Sequence, residues 1–184
     1  MKVYVDSGVF IDYVISRGQT TSFLRQTKRR GRDPNRLRTD AEKCFGAIRD
    51  AHAGITSAVT CWELEEALYR ELVRRSIAGE IAKRPFVPIA RILVIQTLTT
   101  IDLYRIQLFD LTRLIVEAQS SNLELQDLGI RAADSLHVTT ALIEGAELLI
   151  TTDSNLIRLD NIFENSAGAT LRCVDTDQAL ALLA

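Results

Sequence analysis

An α/β fold, with a central, mostly parallel sheet flanked by helices, is predicted by three features of the 184-residue chain. Short apolar runs of strand length alternate with longer stretches of helical periodicity, which is the pattern of βαβ units. Acidic residues follow the apolar runs at short range, as Asp6 follows Val3-Tyr4-Val5 and Asp153 follows Leu148-Leu149-Ile150. The length, with 47% hydrophobic and 25% charged residues, suits one domain with a substantial core.

The elements are read in order. Residues 2–5 form a first strand, and residues 8–14 continue as a short buried helix. Residues 17–38 are polar and contain Gly18, Gly31 and Pro34, so they read as a loop with at most a short helix. Thr39-Asp40 followed by Glu42 marks a helix start, and that helix ends near His52. Residues 55–58 give a second strand and residues 60–77 a long helix, after which Pro85 and Pro88 set the start of another segment. Residues 101–106 read as a third strand, although their apolar pattern suits a helix equally. Helices are expected over 109–118 and 132–144, strands over 147–151 and 171–174, and a closing helix over 176–183. The whole reads as a single domain, 1–184, with a basic insertion around 17–38 and a helical extension around 78–98.

Composition excludes several classes. A net charge of −2 provides no global attraction to nucleic acid, so any basic footprint must be local. Cys44, Cys61 and Cys173 lack C-x-x-C spacing, which argues against a zinc site or a disulfide framework and for a reducing compartment. No signal segment is recognised at the start. The longest apolar region, 87–103, contains Arg91, Gln96 and Asp102, so no membrane-spanning helix is expected. The expectation is a soluble, cytoplasmic protein.

Four carboxylates stand out against this frame. Asp6, Glu63, Asp134 and Asp153 each lie where an apolar strand or helix begins or ends. A carboxylate directly after a buried strand sits at the carboxyl edge of the sheet, where open α/β sheets bind ligands. Carboxylates gathered there repel by roughly 4 kcal/mol per close pair at an effective dielectric near 20. A hard divalent cation is the usual counterweight. Each acid also has a plainer reading. Asp6 and Asp153 suit helix caps or turns. Asp134 and His137, three residues apart, are the polar members of an otherwise apolar helix, and a buried Asp needs a partner. On a helical wheel Glu65 lies nearer the stripe Cys61, Leu64, Leu68 and Leu72 than Glu63 does, and Glu66 is one turn on from Glu63. The choice among the three glutamates stays open on pattern alone.

The segments VYVDSGVFIDYV, ITSAVTCWELEEAL, RAADSLHVTTAL and ELLITTDSN, in this order, resemble the PIN-domain family of metal-dependent ribonucleases. They are most similar to the VapC-type toxins of toxin–antitoxin pairs. The resemblance implies a three-layer fold and places the family's site acids on Asp6, Glu63, Asp134 and Asp153, with Thr151 and Asn155 as supporting polar residues. It also implies RNA cleavage leaving a 5′-phosphate and a 3′-hydroxyl. One or two Mg²⁺ or Mn²⁺ ions suit such hydrolysis, with Asp6, Asp134 and Asp153 as ligands and Glu63 near the attacking water. His137 is expected to be a satisfied core or supporting group. The chain is longer than such toxins, chiefly over 17–38 and after residue 77. The implied partners are RNA, a cognate antitoxin and a second copy of the chain, with no membrane.

The segment KRRGRDPNRLR carries six basic residues in eleven positions: Lys28, Arg29, Arg30, Arg32, Arg36 and Arg38. It reads either as a solvated loop or as a track for RNA phosphates beside the acidic edge. Two other functional readings share the resemblance. One is a PIN nuclease in RNA maturation or DNA processing, and the other is a non-catalytic PIN fold that binds RNA or protein. A phosphatase forming an aspartyl-phosphate would need a second Asp two residues after Asp6, where this chain has Gly8.

Overall fold

A computed structural model of the chain describes residues 1–14, 28–79, 81–82 and 84–184. Five strands form one sheet: β1 (Lys2–Val5), β2 (Ala53–Ser57), β3 (Gln107–Phe109), β4 (Leu148–Ile150) and β5 (Arg172–Val174). Their order is β3-β2-β1-β4-β5, and every pairing is parallel. The helices are α1 (Ser7–Val14), α2 (Pro34–Ala51), α3 (Ala58–Ile77), α4 (Phe86–Leu103), α5 (Arg113–Ser121), α6 (Leu123–Asp127), α7 (Ala132–Ile143), α8 (Ser154–Ile157) and α9 (Thr176–Leu182).

Alternation along β1 explains the layers. Successive strand side chains point to opposite faces. Val3 and Val5 join a core with Phe10 of α1, Phe45 of α2, Leu64 of α3, Leu93 of α4 and Ala179 of α9. Tyr4 joins the other core, with Leu125 of α6, Val138 of α7 and Leu156 of α8. Leu148 and Ile150 of β4 face the first core and Leu149 the second. Each such buried aliphatic or aromatic side chain contributes about 1.5–3 kcal/mol. The sheet therefore carries helices on both faces, the α/β architecture that the sequence predicts.

The strand order places the functional edge. The chain leaves β1 toward β2 and β3 on one side and later returns to β4 and β5 on the other. The crevice at the carboxyl ends of β1 and β4 is thus a topological switch point, the usual ligand position in such sheets. Two further bonds continue the ladders there: Asp6 N donates to the Ile150 carbonyl at 3.0 Å, and Thr151 N to the Val174 carbonyl at 2.9 Å. Gly8 keeps the crevice tight, because a Cβ at this position would lie 2.0 Å from the Thr152 Oγ1 atom. A Cβ here would force the Thr152 side chain to move, so glycine lets α1 start directly against the turn after β4.

Several expected boundaries are corrected. α2 begins at Pro34, not near Thr39, because Asp33 accepts from Arg36 N as its cap and proline suits the first helical turn. Residues 101–106 are not a strand: α4 runs to Leu103, and β3 follows at Gln107–Phe109. The helix expected over 109–118 is α5, which starts after its cap Thr112. α6, capped by Asn122, was not anticipated. The part of the predicted polar loop covering 17–27 lies outside the described residues.

α4 also corrects the reading of the apolar region. Arg91, Gln96 and Asp102 stand on the helix without interrupting it. By length and composition alone its 18 residues, mean hydropathy 1.5, suffice to cross a membrane. In the fold its buried side, Ala90, Leu93, Thr97, Thr100 and Ile101, packs inward, and Arg91 pairs with Glu65 of α3 at 3.3 Å.

Candidate active site

A cleft of about 620 Å³ opens at the switch point, lined by Asp6, Glu63, Asp134 and Asp153. These acids come from four separate segments: the end of β1, the first turns of α3, the first turn of α7 and the turn after β4. The fold brings together the four acids that the resemblance implies.

Asp6 is nearly buried and firmly held. Its Oδ1 accepts from Ser7 N at 2.8 Å and from Ser7 Oγ at 3.3 Å, and its Oδ2 accepts from Thr151 Oγ1 at 2.7 Å. The same Thr151 oxygen accepts from Asp153 N at 3.1 Å, so one buried hydroxyl ties the two strand-end acids together. Asp153 caps α8 by accepting from Asn155 N at 2.7 Å. Asn155 departs from its expected role. Its side chain accepts from Arg158 at 2.9 Å and lines a separate hollow, so only its backbone serves the acids.

His137 anchors the other side. It is fully buried on α7, with Nδ1 2.7 Å from the Tyr4 hydroxyl and Nε2 2.7 Å from Glu63 Oε2 and 3.5 Å from Asp6 Oδ1. Burial alone would lower its pKa, but Tyr4, Asp6 and Glu63 outweigh burial and raise it well above the ordinary imidazole value. Both ring nitrogens are thereby engaged, Nδ1 with the Tyr4 hydroxyl and Nε2 with the Glu63 carboxylate. Burial likewise pushes the Glu63 carboxyl up, yet the bond and charge of His137 and a bond from Ser7 hold it below its usual value. The three glutamates are thereby distinguished in space. Glu63 meets His137, Glu65 meets Arg91, and Glu66 pairs with Arg70 at 2.6 Å on the rim.

Asp134 is the unbalanced member. Burial, then Asp153, Asp6 and Glu63, push its pKa up to about 6, against which His137 acts only weakly. Among the described residues no lysine or arginine pairs with Asp6, Asp134 or Asp153. Hard carboxylate oxygens with surplus negative charge fit Mg²⁺ or Mn²⁺. By ligand-atom spacing alone, Asp6, Glu63 and His137 form the tightest group, their atoms within 4.8 Å of one another. His137, however, already engages both ring nitrogens, Nδ1 with Tyr4 and Nε2 with Glu63. The donor chemistry therefore favours Asp6, Asp134 and Asp153, with His137 orienting Glu63. Millimolar Mg²⁺ is expected to raise the melting temperature, by about 2.7 kcal/mol of stabilisation at a hundred times Kd. A melt unmoved by either Mg²⁺ or Mn²⁺ would count against this assignment.

The basic segment is divided between the interior and the solvent. Arg29 and Arg32 exchange backbone hydrogen bonds at 3.0 Å across a two-residue turn whose centre, Arg30 and Gly31, has φ of 49° and 77°. Two positive φ values in succession suit a tight hairpin turn. The paired arginines reach inward. Arg29 meets Asp12 at 2.6 Å and Asp175 at 3.0 Å, and Arg32 meets Asp40 at 3.1 Å and also Asp175. Asp12, Asp40 and Asp175 are fully buried, and the two arginine side chains are only 13% and 11% exposed. Arg36 pairs with Asp40 at 3.0 Å and Arg38 with Glu42 at 3.7 Å. Lys28, Arg30, Arg36 and Arg38 keep solvent-facing charge, whereas Arg29 and Arg32 are consumed by the interior.

Sequence reasoning did not single out Tyr4, Trp62 or Arg131 in or beneath the cleft. Tyr4 had a usable signal, a hydroxyl on the strand position alternate to Val3 and Val5, and so did Trp62, the only tryptophan, placed off the apolar stripe of its helix.

A family profile described as PIN domain matches residues 35–162, more than half of the chain. The chain belongs to the PIN domain family. The matched region contains Glu63, Asp134 and Asp153, and the fold adds Asp6 from outside it to the same cleft. PIN domains are generally nucleases, and the acid cluster of this one is in place. Comparison with curated proteins and with solved structures returned no match.

Proposed function

We propose that this PIN domain is a Mg²⁺- or Mn²⁺-dependent endoribonuclease and that its setting is a toxin–antitoxin pair. One observation carries the nuclease reading: four acids from four segments meet in one cleft with no lysine or arginine on Asp6, Asp134 or Asp153 among the described residues. The buried triad Asp12, Asp40 and Asp175 shows the contrast, since arginines neutralise it. A fold that pairs arginines with one acidic cluster and, among the described residues, pairs none with Asp6, Asp134 or Asp153 leaves the second for an external cation.

One or two bound divalent ions would supply an acidified water and charge neutralisation at the phosphate. The residues have separable roles. Asp6, fixed by Ser7 and Thr151, and Asp134 and Asp153 provide hard oxygen donors. Glu63, held by His137, is placed to accept a proton from the attacking water. The expected products carry a 5′-phosphate and a 3′-hydroxyl. The test is incubation of purified protein with unstructured RNA, with and without Mn²⁺. Cleavage that EDTA abolishes is expected; RNA left intact under every metal condition would refute the reading.

The toxin setting is supported by the four motifs in order, and an antitoxin encoded beside the protein is the partner it calls for. Expression should arrest growth, and the adjacent small protein should relieve the arrest. A homodimer is supported by the apolar side of α4, where Ile92 and Ile95 are 49% and 66% exposed. A cytoplasmic location is supported by three buried free thiols.

A further inference from the structure

We infer that Trp62 is a stacking platform for a base next to the scissile phosphate, which confines the cleft to nucleic acid with unpaired bases. This inference rests on the nuclease reading above and specifies its substrate. Trp62 is the only tryptophan of the chain and directly precedes Glu63. The buried stripe of α3 is Cys61, Leu64, Leu68 and Leu72, and Trp62 lies off it, 63% exposed. Core packing gives no reason for the largest apolar ring to occupy that position.

Its surroundings give one. Trp62 lines the acidic cleft and also an adjoining hollow of about 380 Å³ shared with Glu66, Tyr69 and Val87. It therefore forms the ridge between the two. Tyr69, two helical turns on, presents a second, partly exposed ring on the same side. A phosphate held through a cation on the acids must send its flanking base somewhere, and the apolar ring is one residue from Glu63. Arg131 lies on the α7 side of the cleft, exposed and without an ion pair among the described residues, and suits a neighbouring phosphate. The juxtaposition of a carboxylate cluster suited to a divalent cation, the exposed Arg131 and an aromatic face favours a polynucleotide over a peptide.

Base pairing decides the strand form. In a duplex the base faces are stacked on one another and only edges are accessible, whereas a splayed base offers its π-face to an aromatic ring. Stacking is sequence-tolerant, so Trp62 selects unpaired strands without selecting a sequence.

The lone tryptophan gives a direct readout. In Asp134→Asn protein with Mg²⁺, an unstructured oligoribonucleotide should quench the fluorescence saturably, and the same strand annealed to its complement should not. In the otherwise native protein, Trp62→Ala should raise KM roughly 5- to 150-fold, the equivalent of about 1–3 kcal/mol for one stacked base, with kcat far less changed. Trp62→Phe should recover most of the loss, and both variants should melt like the native protein because the side chain is exposed. Absence of quenching together with an unchanged KM in Trp62→Ala overturns the inference while leaving the nuclease intact. Unchanged KM with lost binding of a protein partner assigns the ring to that partner and overturns it as well. Native protein that cleaves nothing refutes the nuclease reading instead, and saturable quenching in that protein would still place a base on Trp62.

Discussion

Asp134→Asn is expected to abolish cleavage and, without metal, to make the protein more stable. The first effect follows from removing a charged oxygen donor from the cluster, and losses of such electrostatic groups run to about 10²–10³-fold in rate. The second follows from the state of the residue. Burial and three neighbouring carboxylates raise its pKa to about 6. Unfolded, the same group titrates near its reference value of about 3.9.

Below pH 4 the carboxyl is protonated in both states and contributes nothing. Between about pH 4 and 6 the unfolded chain ionises first, so the folded state binds more protons and stability falls as pH rises. Above about pH 6 the full penalty is present, on the order of 1–3 kcal/mol once solvent and relaxation are allowed for. Asn carries no such penalty. In EDTA at pH 8 the variant should therefore melt above the native protein, and the gap should close toward pH 4. Added Mg²⁺ should reverse the order, because only the native cluster gains the ion. A variant that cleaves normally, or that melts below native protein in EDTA at pH 8, would remove Asp134 from the site.

The convergence of the strand-end acids on one cleft was partly legible in the sequence. Carboxylates after Val3-Tyr4-Val5 and Leu148-Leu149-Ile150 had local explanations as caps, and those explanations hold: Ser7 N donates to Asp6 and Asn155 N to Asp153. The capping role and the site role coincide, because a strand's carboxyl end is also where the next helix begins. Glu63 was not separable from Glu65 and Glu66 by the wheel. What separates it is His137, 74 residues away, and no periodicity reports a contact across that distance. The alternating elements were legible because burial sets their period. Boundaries failed where local chemistry overrode periodicity, as at Asp33-Pro34, which starts α2 early, and at 101–106, where helix and strand patterns coincide.

The burial of Arg29 and Arg32 was not legible for a related reason. Charge runs are usually solvated, and a sequence shows neither where the run turns nor what faces it. The turn at Arg30-Gly31 points Arg29 and Arg32 to one side, toward three aspartates from α1, α2 and the start of α9.

Replacing either inward arginine should cost far more stability than RNA affinity. Arg32→Ala removes a partner from both Asp40 and Asp175 and leaves carboxylates with no exposure short of compensation. Breaking a buried pair by deleting one member costs about 3–5 kcal/mol, because the remaining charge stays desolvated. For a chain of this length that is a fall in melting temperature of roughly 6–20 °C. Arg36→Ala touches the same Asp40 from a position 60% exposed and should cost much less, within about 1 kcal/mol. Acid should act in the same direction. Burial raises the Asp175 carboxyl, but Arg29, the Thr176 backbone and Arg32 outweigh it and hold it below its ordinary value. Its contribution is thus complete above about pH 4, the unfolded value, and is lost as pH falls through the lower folded one. The native protein should lose stability steeply there, and Arg32→Ala should lose less because much of the contribution is already gone. Melting curves from pH 2 to 7 for the three proteins check this. A cost for Arg32→Ala no larger than for Arg36→Ala, or a weakened salt dependence of RNA binding with unchanged stability, would return the segment to the role of a phosphate track.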